Sequence, residues 1–330
     1  MTVFTVEVVP KDPLWKIDLL TYIIGDLGFP GVWLSEHPHN RSSFIIASHL
    51  LKNIDRVWIG LGVVNPYTVN PFVIAQLSAS LLEIAPGRVR LAIGAGDKTV
   101  LESLGIERVK PLEKVREAAT IIRKLLTEKR ITLRDNIHGR LDFNPRGNLL
   151  LYVGAQGPRM LQLSGEIGDG VLVNYSAVED LRWAYGEVMK GVEKAGKRIE
   201  EIDLAAYLTI SLDVDLRRAV KTVTPYAAYI LSGLPEKIID SIDIEEDKMV
   251  KIREAVQRAD WLKLYDLLDV EVVERLAIVG HPKVLEERIR EIVEIGYTQI
   301  VVGAPTGPRT LWALKEIKKI INDLNNNRIY

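Results

Sequence analysis

The sequence predicts a (β/α)8 TIM barrel with a helical insertion before its last strand. Three observations carry that prediction. Short β-branched runs alternate with longer amphipathic segments, the rhythm of βα units around a parallel sheet. The short runs are almost continuously apolar, as strands covered on both faces must be. The glycine and polar clusters follow the third, fourth, fifth and eighth runs, whose C-terminal ends converge on the mouth of a barrel, where active sites lie. A doubly wound dinucleotide-binding sheet is the rival, but its glycine fingerprint belongs after the first strand, where Val9-Pro10-Lys11-Asp12-Pro13 stands instead.

The strands are expected at Val3–Val9, Val32–Leu34, Val57–Val63, Val89–Ile93, Leu149–Val153, Val171–Val173, Leu204–Leu212 and Gln299–Val302. Helices are expected at Pro13–Leu27, Ser42–Lys52, Pro71–Ile84, Leu112–Leu126, Arg159–Ile167, Val178–Ala195 and Thr310–Leu324. Pro13, Pro71 and Pro158 fall where a first helical turn has no use for an N–H. Two stretches break the rhythm. The polar segment 127–148 carries turn signals at Arg134-Asp135-Asn136 and Asn144-Pro145-Arg146-Gly147 and is expected to form a short hairpin or an excursion from the barrel. The segment 213–296 is far longer than a βα crossover and reads as several helices, ending in Pro282–Ile295. The chain is taken as one barrel domain over 1–330 bearing these two insertions.

At 330 residues with 47% hydrophobic content there is enough apolar material for one large barrel. Basic and acidic residues balance, 43 against 44, so no global field draws the chain to nucleic acid or a membrane surface. With no cysteine, disulfides, thiolate metal sites and a Cys nucleophile are excluded. That composition fits a reducing cytoplasm. The strand-like opening does not read as a leader, and no run is apolar enough to span a bilayer. Gln is scarce beside Ile, Glu, Lys and Arg, a composition that leans thermophilic.

Chemistry concentrates at the strand ends. Alternation that turns Val6 and Val8 outward turns Glu7 into the barrel. A carboxyl there is costly unless paired or near the open mouth, so it is either a general acid or a structural partner to an interior Lys or Arg. The second strand runs into Ser35-Glu36-His37-Pro38-His39-Asn40-Arg41, where ligand contact by Glu36 and His37 is favoured over metal binding, because no HExxH-like array is present. Gly62 inside the third strand marks a bulge, a close backbone approach or simple barrel packing, and Asn65-Pro66 a turn or a contact. Gly94-Ala95-Gly96-Asp97-Lys98 puts Asp97 and Lys98 over the mouth, or else makes a surface ion pair. Gly154-Ala155-Gln156-Gly157-Pro158 opens a helix and offers backbone N–H groups to a phosphate. Gly303-Ala304-Pro305-Thr306-Gly307-Pro308 repeats the theme and competes for it.

Taken in order, Asn65-Pro66-Tyr67, Gly94–Lys98 with Leu104-Gly105-Ile106 and Val109-Lys110-Pro111, and Gly154–Pro158 resemble the signature of coenzyme F420-dependent 5,10-methylenetetrahydromethanopterin reductases of the bacterial-luciferase-like family. The similarity continues through Gly165-Glu166-Ile167-Gly168-Asp169-Gly170, Asp203–Tyr207, Val279-Gly280 and Gly303–Pro308, so it covers nearly the whole chain. The resemblance implies a deazaflavin at the barrel mouth and a bulge with a non-prolyl cis peptide at Gly62–Val63 behind its ring. It places Glu36, His37, Asn65, Gly94, Gly96, Lys98 and the Gly154–Gly157 loop, with Ala155 and Gln156, around the cofactor. Glu7 and Asp97 would face a tetrahydromethanopterin-type substrate, Glu7 as proton donor and Asp97 as its orienter. A homo-oligomer, dimer or tetramer, is also expected.

This chain departs from the pattern at Ser35-Glu36, where Thr-Asp is usual, at Val69-Asn70, where a basic residue is usual, and over 127–148. These departures leave other readings open. One is an F420-dependent alcohol or sugar-phosphate dehydrogenase using His37 as base. Another is an FMN-dependent luciferase-like monooxygenase. A third is a barrel kept for binding alone.

Overall fold

Strands and helices alternate along the chain because each apolar run needs cover on both sides, and each amphipathic helix has one face to bury. In the computed structural model, which describes residues 2–134, 137–242 and 244–326, eight parallel strands close a barrel. They are β1 (Val3–Val8), β2 (Gly31–Leu34), β3 (Trp58–Val64), β4 (Val89–Ile93), β5 (Leu150–Ala155), β6 (Gly170–Val173), β7 (Asp203–Leu212) and β8 (Gln299–Thr306). Each pairs with the next, and β8 closes on β1 with Val6 beside Val302. All eight coincide with runs expected from the sequence, within a few residues at their ends.

Two cores follow from the pleat. Val6, Val8, Ile59, Leu61, Leu91 and their counterparts point outward under the helices. Trp33, Ala92, Tyr152, Leu172, Ala205 and Val301 fill the barrel itself. The three interior aromatics meet edge to face, Trp33 lying 5.1 Å from Tyr152 and 5.5 Å from Trp58 between ring centroids. Small residues opposite make room for them: a side chain at Gly60 would come within 2.3 Å of the Trp33 ring.

The expected hairpin is present as antiparallel strands Arg130–Arg134 and Ile137–Arg140, while its turn residues Asp135 and Asn136 lie outside the described residues. Between β7 and β8 stand helices Leu216–Gly233, Glu236–Ile239, Glu246–Gln257, Trp261–Leu267 and Val270–Leu276, then Pro282–Ile295. Arg275 on the fifth of these grips Asp180 with two hydrogen bonds, of 2.5 and 2.8 Å, and Asp180 is buried; a bidentate pair of this kind fixes the insertion against the barrel. Three elements were not foreseen, one of them a single 3-10 turn at Ile199–Glu201. Ile278–Gly280 adds a short parallel strand beside the end of β7, too brief to leave a pattern. Lys98–Ser103 is a helix where a loop was expected. Among the described residues no helix is long and apolar enough to cross a membrane.

Candidate active site

Beneath the mouth, towards the N-terminal ends of the strands, lies a partly buried polar network. The Gln299 carbonyl accepts from the Thr5 hydroxyl at 3.0 Å and the Trp33 indole at 2.8 Å, while its amide donates to Asp203 at 2.8 Å. Asp203 also accepts from the Tyr152 hydroxyl at 2.6 Å, and Arg90 lies over the Trp58 ring at 3.6 Å. A network whose members are hydrogen-bonded to one another is rigid, so whatever stands above it has a fixed base.

Above it every residue expected to face substrate or cofactor, from Glu7 and Asp97 to the Gly154–Gly157 loop, lines one cleft of about 2060 Å³ at the C-terminal ends of the strands. One drug-sized ligand takes roughly 300–1,000 Å³, so this cleft has room for two sizeable molecules side by side. Pro225, Tyr226 and Tyr229 from the insertion, with Trp261 and Tyr265, line the same cleft.

Glu7 points inward, as alternation required. Its Oε2 accepts the Ala304 N–H at 2.8 Å. Burial pushes its carboxyl above the usual carboxylate range, more than the Ala304 amide, the neighbouring Ser35 and Tyr207 hydroxyls and the Lys11 charge pull it down. No interior Lys or Arg forms an ion pair with it among the described residues, so the structural alternative for Glu7 loses its partner. What the strand supplies is a carboxyl poised to hold a proton in a cleft.

The third strand carries its bulge where expected: the register between β3 and β4 shifts between Leu61 and Val64, and the Gly62–Val63 peptide is cis. Val63 accounts for two of the glycines. A side chain at Gly94 would meet its Cγ1 at 2.5 Å, and one at Gly154 its Cγ2 at 2.5 Å. Gly96, at φ +71°, sits under the Asn65 side chain, whose Nδ2 would be 1.8 Å from an added Cβ. Gly157 differs: no heavy atom lies within 4 Å of where its Cβ would point. It precedes helix Pro158–Ile167, whose first turn has no side-chain cap, so N–H groups face the space that a missing side chain leaves open. In the rival loop a Cβ at Gly303 would strike the Leu208 carbonyl at 2.3 Å and one at Gly307 the Leu212 carbonyl at 2.4 Å. Those glycines serve backbone packing.

The polar residues of the rim are partly committed to the fold. Glu36 accepts from the Ser43 N–H at 2.7 Å, tying the β2 loop to the next helix. Asp97 caps Lys98–Ser103, its Oδ1 accepting from the Val100 N–H at 3.0 Å, which is why a helix starts where a loop was expected. Its Oδ2 lies against Gly233 of the insertion, 2.4 Å from an ideal Cβ position there. Lys98 pairs with Glu102 at 3.6 Å. His37 stacks on His39 and meets the Tyr229 ring edge-on; burial, then the His39 charge, pulls its imidazole down to about 4. Among the described residues no group of three or more His, Asp or Glu is arranged to hold a metal ion.

Several lining residues were given no role by the sequence: Tyr207, noted only as the end of the Asp203–Tyr207 stretch, Tyr229, Arg108, which donates to the Gly96 carbonyl at 3.0 Å, and Arg159 in the first turn after Gly157. Arg108 lies between two stretches that were singled out. The tyrosines sit in apolar or helical runs that give no local sign of facing a cleft.

Barrel, bulge and mouth define a luciferase-like protein, and the model of the luciferase-like monooxygenase family matches residues 22–299. The 5,10-methylenetetrahydromethanopterin reductase of Archaeoglobus fulgidus is 35% identical over 326 residues, covering 96% of this chain and 98% of the relative. That of Methanolobus tindarius is 33% identical over 323 residues, covering 96% and 99%. The structure of the coenzyme F420-dependent tetrahydromethanopterin reductase from Methanopyrus kandleri superposes with a TM-score of 0.86 at 30% identity, over 96% of this chain and 97% of that one. Within the luciferase-like class, this chain belongs to the family of the 5,10-methylenetetrahydromethanopterin reductases.

Proposed function

We propose that the cleft carries reversible hydride transfer between reduced coenzyme F420 and the methylene group of a methylenetetrahydromethanopterin-like one-carbon carrier, giving the methyl form. The observation that carries this reading is Glu7, a carboxyl facing the cleft that burial pushes above the usual carboxylate range. The methylene bridge joins two nitrogens, and opening it requires a proton on the leaving nitrogen, which a positioned carboxylic acid supplies.

The residues present fit the cofactor. The open position at Gly157, the uncapped helix start behind it and Arg159 beside it would cradle an anion, while Gly62, Gly94 and Gly154, packed about Val63, would line the ring's side of the cleft. When bound, the deazaflavin supplies the hydride. Ala155, Gln156, Asn65, Gly96, Glu36, His37 and Lys98 frame the same volume. Asp97, with one oxygen committed to its helix and the other toward the insertion, would orient the pterin by accepting from its N–H groups.

Alcohol oxidation with His37 as base is the second reading, since the imidazole lies in the cleft. An imidazole drawn down to about 4 is a poor acceptor for an alcohol proton, which ranks this reading lower. FMN-dependent oxygenation would use the same side of the cleft. We also propose that the chain is one domain and works in the cytoplasm as a dimer or tetramer. Binding titrations with reduced and oxidised F420 and with FMN, followed by turnover with methylenetetrahydromethanopterin and with secondary alcohols, separate these readings. Retention of FMN alone, or turnover of alcohols alone, would replace the first.

A further inference from the structure

Two buried hydroxyls stand beside the Glu7 carboxyl and act on it without an aligned hydrogen bond. The Tyr207 Oη and Ser35 Oγ atoms are closed off from solvent, and neither has a partner in hydrogen-bonding geometry. An unpaired buried hydroxyl costs free energy, and native proteins rarely tolerate one without a reason. Here two stand next to the same carboxyl, from strands on either side of it: Ser35 just beyond β2, and Tyr207 within β7. They are Glu7's neighbours along with Lys11, beyond the end of its own strand, and the Ala304 N–H of β8.

We propose that Tyr207, supported by Ser35, is a positioning residue for Glu7, its hydroxyl donating to the carboxylate that forms when Glu7 gives up its proton. The inference rests on the reading of Glu7 as proton donor. The Ala304 N–H already engages Oε2, which leaves Oε1 to carry the proton. In the step, the Oε1–H bond breaks and a bond from hydrogen to the leaving substrate nitrogen forms, while the electron pair stays on the carboxyl. A negative charge then appears in a site built for a neutral acid. The Ala304 amide alone leaves it poorly solvated. A rotation of the two hydroxyl hydrogens supplies two further donors without any movement of the backbone, so stabilisation grows as the charge develops. Tyr207 is suited to this because burial, and then the charge of Glu7, hold its own phenol well above its usual range; it donates a hydrogen bond and keeps its proton.

The test is Tyr207→Phe in the full-length protein, read in two ways. Infrared difference spectra follow the protonated carboxyl band of Glu7, assigned by its loss in Glu7→Gln, against pH. Losing a donor to the carboxylate should move that titration up by about 1–2 pH units. The pH profile of methylene reduction should move with it, and kcat should fall about 10- to 100-fold with the pterin KM unchanged. Ser35→Ala should act in the same direction and less. Should Tyr207→Phe fail to fold, 3-fluorotyrosine at 207 keeps the ring and makes a stronger donor, and the titration should move down. A Glu7 titration left in place by any of these changes in a folded protein overturns the proposal. Because the infrared titration needs no turnover, a shifted carboxyl in a protein inert toward methylenetetrahydromethanopterin sustains the role of Tyr207 and defeats the proposed function. An unshifted carboxyl in an active protein does the reverse.

Discussion

Replacing Gly157 by valine separates a glycine kept for a ligand from one kept for the fold. Gly157 has φ −73° and ψ 152°, an extended conformation open to any residue, and its missing Cβ points where no protein atom lies within 4 Å. The fold should therefore accept valine within about 0.5 kcal/mol, the range of surface changes that touch nothing. The cofactor should not. Two methyl groups would push an anion away from the first-turn N–H groups of Pro158–Ile167, and a hydrogen bond to a charged group is worth about 1.5–3 kcal/mol. Each such bond lost raises the Kd about 10- to 100-fold. Gly154→Ala should show the opposite pattern. Its Cβ would stand 2.5 Å from Val63 Cγ2, so overpacking should cost about 1–3 kcal/mol, and Val63→Ala should recover part of it. Urea unfolding measures the first quantity and fluorescence titration with F420 the second. If Gly157→Val binds F420 as the parent does, the cradle is not at Gly157, and the Gly303–Gly307 loop is the next place to look.

Glu7→Gln keeps the shape and removes the acid; turnover should fall by about 10²–10⁴-fold with F420 affinity preserved, whereas Asp97→Asn should act chiefly on the pterin KM. Near-normal turnover in the first together with loss of activity in the second would reverse the two roles. His37 gives a pH signature: with its imidazole lowered from 6.5 to about 4, unfolded chains bind a proton there, as pH falls through that window, that folded chains refuse. Stability is then lost on acidification below 6.5, and His37→Asn should remove about 2 kcal/mol of that loss by pH 4.5. Denaturant titrations of both proteins at pH 7.5 and pH 4.5 check it; parallel losses would show that His37 does not titrate as argued.

The barrel was legible because its strands are continuous apolar runs, and Glu7 was expected to face inward if Val6 and Val8 faced the helices, which they do. The mouth was legible as a list of loops. What the sequence could not show was which glycine serves which purpose. Gly94, Gly154 and Gly157 look alike along the chain, yet two of them answer to Val63 and the third to open space, a difference set by contacts across the barrel. The place of Tyr207 beside Glu7 was invisible for the same reason, because the two are far apart in the chain and only barrel closure brings them together. Asp97 was read as a loop carboxylate and its capping role was missed, because the helix it starts is short and Lys98-Thr99-Val100 has no strong helical pattern of its own. The insertion announced its helices but not their place over the cleft, which the Arg275–Asp180 pair helps to fix.

The most direct measurement of the central claim is a stopped-flow experiment in which the protein, loaded with reduced F420, is mixed anaerobically with methylenetetrahydromethanopterin while the absorbance of oxidised deazaflavin is followed. The account predicts one equivalent of F420 oxidised per equivalent of methyl product, at a rate that Glu7→Gln slows by about 10²–10⁴-fold. Reduced F420 that stays reduced after mixing, in a protein shown to bind both molecules, would contradict it.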